Sequence, residues 1–354
     1  MRIGILTFHR AYNYGAVLQC YALQSLLSEW GHEVEVIDYR QPHTEASHRI
    51  FSLVKLNSFK TFTEKKNYLM KTWKRKSKHR ISKAFFSEFL AHQLHLSPPC
   101  KKNTIPSDYE AYIIGSDQLW SENCLGGKFD DVYLGNFFHK PNAKLIGYAI
   151  SINRQSLEHF CKEKLPAINN FTSLSVRESF AAKRISDAIS MDISQCIDPT
   201  LLLDPASWRP FLTSKYSDKD YILLYQVRGS RATLLDKARA LANQLRCDVL
   251  DLSSQTFPVE DFISAIHHAR CVITSSFHAT AFSVILSAPF YSYTLNDGKD
   301  SRYVELLESL GLEGHIVGVD FTPTSIPNVD KSSLQTRLAS YRKSSLEFLR
   351  KSLS

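Results

Sequence analysis

The chain has 354 residues, 44% of them hydrophobic and 22% charged, close to the globular average, which excludes fibrous and wholly disordered architectures and leaves room for two domains. Its seven cysteines (20, 100, 124, 161, 196, 247 and 271) are scattered with no CxxC pair, a pattern that speaks against a disulfide framework or a structural zinc site and for a reducing, cytoplasmic setting. The net charge of +8 is local: residues 55–83 hold eleven Lys and Arg against one acid, Glu64, so this stretch carries +10 and the remainder −2.

The opening MRIGILTFHRAYNYG has an apolar run cut by His9 and Arg10, too brief for a secretory core and expected as a first β-strand. Strands are expected at 2–8, 33–39, 112–116, 144–151, 173–177 and 195–199. Between the first two, Val17, Leu18, Tyr21, Ala22, Leu26 and Trp30 recur at helical spacing and Gly31 supplies the stop. Residues 48–95 interrupt this series with a basic, mostly helical insertion. The alternation breaks near Asp204-Pro205, then resumes with strands at 221–227, 247–252, 271–275 and 289–294, helices at 230–245, 259–269 and 277–287, and a polar amphipathic helix at 330–352. The run from Cys271 to Asn296 lacks Lys, Arg, Asp and Glu, but its serines, threonines, His278 and Pro289 make it too polar and interrupted to span a membrane. Such βα alternation predicts an α/β protein with two doubly wound, Rossmann-like domains facing a cleft, 1–204 and 205–354.

Ligands of open parallel sheets bind beyond the carboxyl ends of the strands. Just after the expected strands stand His9, Asn13 and Gly15; Ser116 and Asp117; Ser151 and Asn153; Arg177-Glu178; Asp198-Pro199-Thr200; and Ser275, Ser276 and His278. Each also has a structural reading. Asp117 suits a cap, Asp198-Pro199-Thr200 a turn, Arg177-Glu178 an ion pair, and Asn13-Tyr14-Gly15 the entry to the first helix. The P-loop, GxGxxG and GxSxG signatures are missing. The Asp-Lys-Asp at 218–220 reads as a chance match in a polar linker, and His92 and His95 as structural or surface histidines, rather than metal ligands. By themselves these residues specify a ligand-binding α/β protein and no particular reaction.

The segments RIGILTFHRAYNYGAVLQCYALQ, YIIGSDQLW, SVRE, IDPTLLL, ITSSFHATAFSVI and SRYVELLESLGL, in this order, resemble the polysaccharide pyruvyl transferase family. The resemblance implies a GT-B-like fold and transfer of a pyruvyl group from phosphoenolpyruvate to sugar hydroxyls as a cyclic ketal, with no cofactor and no metal. His278 matches the family histidine, expected as the acid, and Arg177 the arginine of the SxRE motif, expected at the donor. Ser276 stands where many members have arginine, and Arg302 could restore that charge; Ala279 replaces a common glycine. Asn13, Gly15, Ser275 and Ser276 are expected as further donor contacts, and Asp117 or Asp198 as base. The expected partners are phosphoenolpyruvate, a sugar acceptor that is lipid-linked or polymeric, and an anionic membrane surface at 55–83, where the protein would sit peripherally; nucleic acid is not expected. Two alternatives remain: a glycosyltransferase using a nucleotide sugar, and a non-catalytic module that binds an anionic saccharide.

Overall fold

The computed structural model describes residues 1–47, 61–189, 192–254 and 256–354; Lys55 and Lys60 of the basic stretch lie outside the described residues. The first of two wholly parallel sheets contains β1 (Arg2–Leu6), β2 (Glu33–Val36), β3 (Ala111–Gly115), β4 (Lys144–Ile150), β5 (Ser173–Val176) and β6 (Ser194–Gln195). Its strand order is β2-β1-β3-β4-β5-β6. Ile3 is in register with Val34 and Ala111, and Ile5 with Val36 and Ile113. The second sheet contains β7 (Tyr221–Tyr225), β8 (Asp248–Asp251), β9 (Cys271–Thr274), β10 (Phe290–Thr294) and β11 (Ile316–Gly318), ordered β11-β10-β9-β7-β8. Near-continuous apolar strands such as AYIIG and CVIT are fully buried, as parallel strands covered on both faces must be. This is the expected pair of doubly wound α/β lobes.

Helices α1 (Tyr14–Glu29), α2 (Pro42–Ser47), α3 (Phe62–Gln93), α4 (Arg154–Glu163) and α5 (Ser179–Ile189) belong to the first half of the chain. The second half adds α6 (Arg231–Leu245), α7 (Val259–His268), α8 (Phe277–Ile285), α9 (Ser301–Ser309) and α10 (Lys331–Leu353). Asn13 starts α1 by accepting the amide of Ala16 at 3.3 Å. Residues of α1 are buried nearly all round, because one side lies on the first sheet and the other on the second lobe. Tyr14 stacks on Phe262 at 4.8 Å, and its hydroxyl accepts the amide of Phe257 at 2.9 Å. Tyr21 meets Phe211 at 5.0 Å, and Trp208 meets Phe282 at 4.7 Å. Such aromatic pairs add roughly 0.5–1.5 kcal/mol each beyond area burial. An apolar seam therefore closes the base of the cleft.

Three elements depart from expectation. The strand read at 195–199 ends at Gln195, because Pro199 lacks an amide hydrogen and the Asp198 carboxylate turns to cap Thr200 at 2.9 Å. β11 is a strand of three residues, too short to show an alternation. Helix α10, read as part of the second half, also packs back onto the first lobe. Ser345 accepts the amide of Ile197 at 3.0 Å, Arg342 pairs with Asp204 at 2.7 Å, and Phe348 lies against Tyr148. Among the described residues no helix is long and apolar enough to cross a membrane.

Candidate functional site

In each sheet the strand order reverses beside one strand. β1 has β2 on one side and β3 on the other, and β7 is likewise flanked by β8 and β9. Crevices at such switch points are where open α/β sheets hold ligands. Here the two crevices face each other across a cavity of about 420 Å³. From the first lobe it is lined by Phe8, Asn13 and Ala16 after β1, His43 and Thr44 of α2, and Asp117 and Gln118 after β3. From the second come Val227 and Arg228 after β7, Ser275 to His278 after β9, and Lys299 and Arg302 after β10.

Cations dominate this wall. Arg302 opens onto the cavity with its guanidinium 5.7 Å from the Phe277 ring; among the described residues the carboxylates of Asp117 and Glu178 act on it without forming an ion pair. Burial, and then the neighbouring Arg177 charge, lower its pKa, so an incoming anion would relieve a standing electrostatic cost. Arg228 is held by Asp297 and by Asp300 at 2.8 Å, while Tyr303 donates to the same Asp300 at 2.6 Å. Helices α1 and α8 both begin at the cavity. Their unsatisfied first-turn amides and positive dipole ends add to the field. Ser276 caps α8 by accepting the amide of Ala279 at 3.5 Å, and the buried hydroxyl of Ser275 has no partner among the described residues.

His278 enters from the second lobe and wedges against the first. A methyl group on Gly15 would overlap its ring atoms, so Gly15 is where the chain must lack a side chain. The glycine was expected to approach a ligand; it approaches the imidazole instead. Nε2 of His278 stands 3.5 Å from Oδ2 of Asp198, an ion-pair separation rather than a formed hydrogen bond. Asp198 is fully buried and its Oδ2 meets Nη2 of Arg177 at 2.6 Å. Its Oδ1 accepts from the Thr200 amide at 2.9 Å and the Thr200 hydroxyl at 2.7 Å. Burial alone would raise the Asp198 pKa, but Arg177, His278 and Thr200 outweigh it and hold the carboxyl well below the usual range. Arg177 also donates to the Ser116 hydroxyl and keeps Nε and Nη1 buried without partners among the described residues.

Of the residues singled out from sequence, Asn13, Asp117, Ser275, Ser276, His278 and Arg302 line the cavity. Gly15, Arg177 and Asp198 stand behind its wall. Asp198 is thus sealed away from any sugar hydroxyl in the cavity, and Arg177 grips Asp198 rather than the open space. Nor do Arg177 and Glu178 pair with each other. Glu178 accepts from Ser151 at 2.5 Å and from the Ile152 amide at 3.1 Å. Asp117 sits in a left-handed turn (φ 69°) and accepts the amide of Gln118 at 2.8 Å. Arg228, Lys299 and Tyr303 were missed. Arg228 carried a signal, since it follows β7 as the other strand-end residues follow theirs.

The family model described as polysaccharide pyruvyl transferase matches residues 13–297. The chain belongs to the polysaccharide pyruvyl transferase family. The match takes in Arg177, Asp198 and His278 and ends before Arg302. Among curated protein sequences none matches. Similar solved structures include UDP-GlcNAc 2-epimerase from Neisseria meningitidis bound to UDP-GlcNAc, at 10% identity over 98% of this chain and 94% of that one, TM-score 0.47. Others are UDP-GlcNAc 2-epimerase from Methanocaldococcus jannaschii (12%, 96% and 100%, TM-score 0.43) and a glycosyltransferase from Streptomyces sp. SF2575 (10%, 100% and 96%, TM-score 0.40).

Proposed function

We propose that this pyruvyl transferase takes phosphoenolpyruvate as donor and builds a cyclic pyruvate ketal on two hydroxyls of a sugar in a surface polysaccharide or its precursor. The observation that carries this reading is the meeting of Arg302, His278 and the start of α8 on one cavity wall. Phosphoenolpyruvate has a carboxylate and a phosphate, close to three negative charges. Guanidinium forks and helix amides match both groups. Arg302 supplies a fork that no carboxylate among the described residues pairs with, in the neighbourhood where Ser276 replaces the arginine common in the family.

In the proposed reaction His278 gives a proton to C3, the methylene becomes a methyl, and C2 becomes cationic. A sugar hydroxyl adds to C2 and its proton passes to Asp117, the carboxylate that lines the cavity. A second hydroxyl then displaces phosphate at C2 and closes the ketal; one of the two hydroxyl protons returns to His278 and the other leaves on the released hydrogen phosphate. Asp198 acts through His278 as a positioning residue: its buried carboxylate stands 3.5 Å from the buried Nε2 and orients the ring. Arg177 holds Asp198 in place. No further cofactor is needed, because the donor itself carries the transferred group.

The test is incubation with phosphoenolpyruvate and candidate acceptor oligosaccharides, followed by mass spectrometry and phosphate release. A mass gain of one pyruvate ketal with one phosphate per transfer, lost in His278→Ala, supports the reading. Transfer of a glycosyl group from a nucleotide sugar would replace it with the glycosyltransferase reading. Binding of an anionic saccharide with no turnover of either donor would leave the binding module.

A further inference from the structure

The basic stretch is the strongly charged feature that the cavity chemistry does not use. Helix α3 has 32 residues and so runs about 48 Å. Its C-terminal half is built into the fold. Phe86, Phe89 and Leu90 are buried, Phe86 stacks on Tyr12 and meets Tyr14 at a tilt, and Ser82 meets Thr256 of the second lobe at 2.7 Å. Its N-terminal half is different: the described side chains from Thr63 to Lys76 are all exposed. The capping box of Thr61 and Glu64 starts the helix.

Residues 61–83 carry nine Lys and Arg and one acid. In their midst Met70 and Ile81 are 47% and 46% exposed. Eleven residues separate them, which is close to three turns, so they share one stripe about 16 Å long. By helical register the exposed Lys66, Arg80 and, further round, Lys76 stand on one side of that stripe. Apolar residues left in water beside a row of cations are the pattern of a helix that lies in a membrane interface.

We infer that the outer face of α3 docks this protein onto an anionic phospholipid bilayer, cations at the lipid phosphates and Met70 and Ile81 in the acyl boundary. A nucleic acid would satisfy the cations but leave both apolar side chains in water. The placement serves the cleft, because Tyr12, against which α3 packs, is the neighbour of Asn13 on the cavity wall.

The experiment is co-sedimentation of the full chain with vesicles of phosphatidylcholine, with and without phosphatidylglycerol, across a salt series. Binding should require phosphatidylglycerol and weaken as salt rises. Lys66→Gln and Lys76→Gln should each lower the partition coefficient about fivefold. Met70→Ser with Ile81→Ser should lower it several-fold, with the melting temperature unchanged because these side chains are exposed. Absence of binding to phosphatidylglycerol vesicles at low salt, or binding indifferent to the lysine variants, would overturn the inference. Tighter binding to a duplex DNA oligomer, unaffected by the Met70 and Ile81 changes, would assign the face to nucleic acid instead. The wild-type lipid and salt series decides the matter even if a variant fails to fold, and none of these readouts depends on turnover.

Discussion

Gly15→Ala tests how the two lobes assemble the site. The added Cβ would overlap Nδ1, Cγ and Cε1 of His278, where real Cβ contacts stay beyond 3.0 Å. To regain ordinary contact at 3.4 Å the imidazole must retreat by more than about 1 Å, and close-packed surroundings resist that. Overpacking of this kind costs about 1–3 kcal/mol, set against up to about 1 kcal/mol gained from alanine's better helix propensity. The retreat also changes the 3.5 Å approach of His278 to Asp198. Urea unfolding of wild type, Gly15→Ala, His278→Ala and the double variant forms a closed cycle. With the ring gone the alanine has room, so Gly15→Ala should cost about 1–2 kcal/mol in the wild type and close to nothing beside His278→Ala, a coupling typical of residues in contact. Equal costs in both backgrounds, within about 0.5 kcal/mol, would refute the close approach. Misplacing a reacting group by about 1 Å costs on the order of a hundredfold in rate, so phosphate release should fall by that factor.

Asp198→Asn removes the charge that faces the buried Arg177 and should destabilise the protein by about 3–5 kcal/mol in urea at neutral pH; a loss under about 1 kcal/mol would mean the pair is not buried as described. Because the folded-state pKa of Asp198 is depressed, its contribution is fully present above the ordinary carboxylate range and is lost as pH falls below about 4. The difference between wild type and Asp198→Asn should therefore be flat from neutral pH to about 5 and shrink in acid, and a difference that grows on acidification would contradict the assignment. Arg302→Ala should weaken phosphoenolpyruvate binding by about 10–150-fold, the equivalent of a lost charge-assisted hydrogen bond. Unfolding should move by less than about 1 kcal/mol, since Arg302 has no carboxylate partner among the described residues to leave behind; calorimetric titration with unchanged affinity would remove it from the donor site.

Much of this site could be read from the order of residues, because doubly wound sheets confine ligand contacts to strand ends. His278, Ser276 and Asp117 follow their strands directly and all reach the cavity. What escaped depends on which strands lie side by side. Arg177 and Asp198 were read as two separate strand-end charges. β5 and β6 pair with Val176 opposite Gln195, which brings the two charges within 2.6 Å and binds them to each other. The contact between Gly15 and His278 joins opposite lobes, and no local pattern encodes it. Helix α10 looked like the end of the second half because its polar face resembles any surface helix. Its anchors to the first lobe are Arg342 and Ser345, two residues that periodicity alone would leave in solvent.

On the proposed reading the cleft should recognise a small trianion. Thermal unfolding with phosphoenolpyruvate, compared with UDP and UDP-sugars at matched ionic strength, tests it most directly. At a concentration 100 times its dissociation constant, phosphoenolpyruvate should stabilise the wild type by about 2.7 kcal/mol, and clearly less when Arg302 is replaced by alanine, while the nucleotides leave the transition where it was. Stabilisation by UDP or its sugars with none from phosphoenolpyruvate would contradict the account.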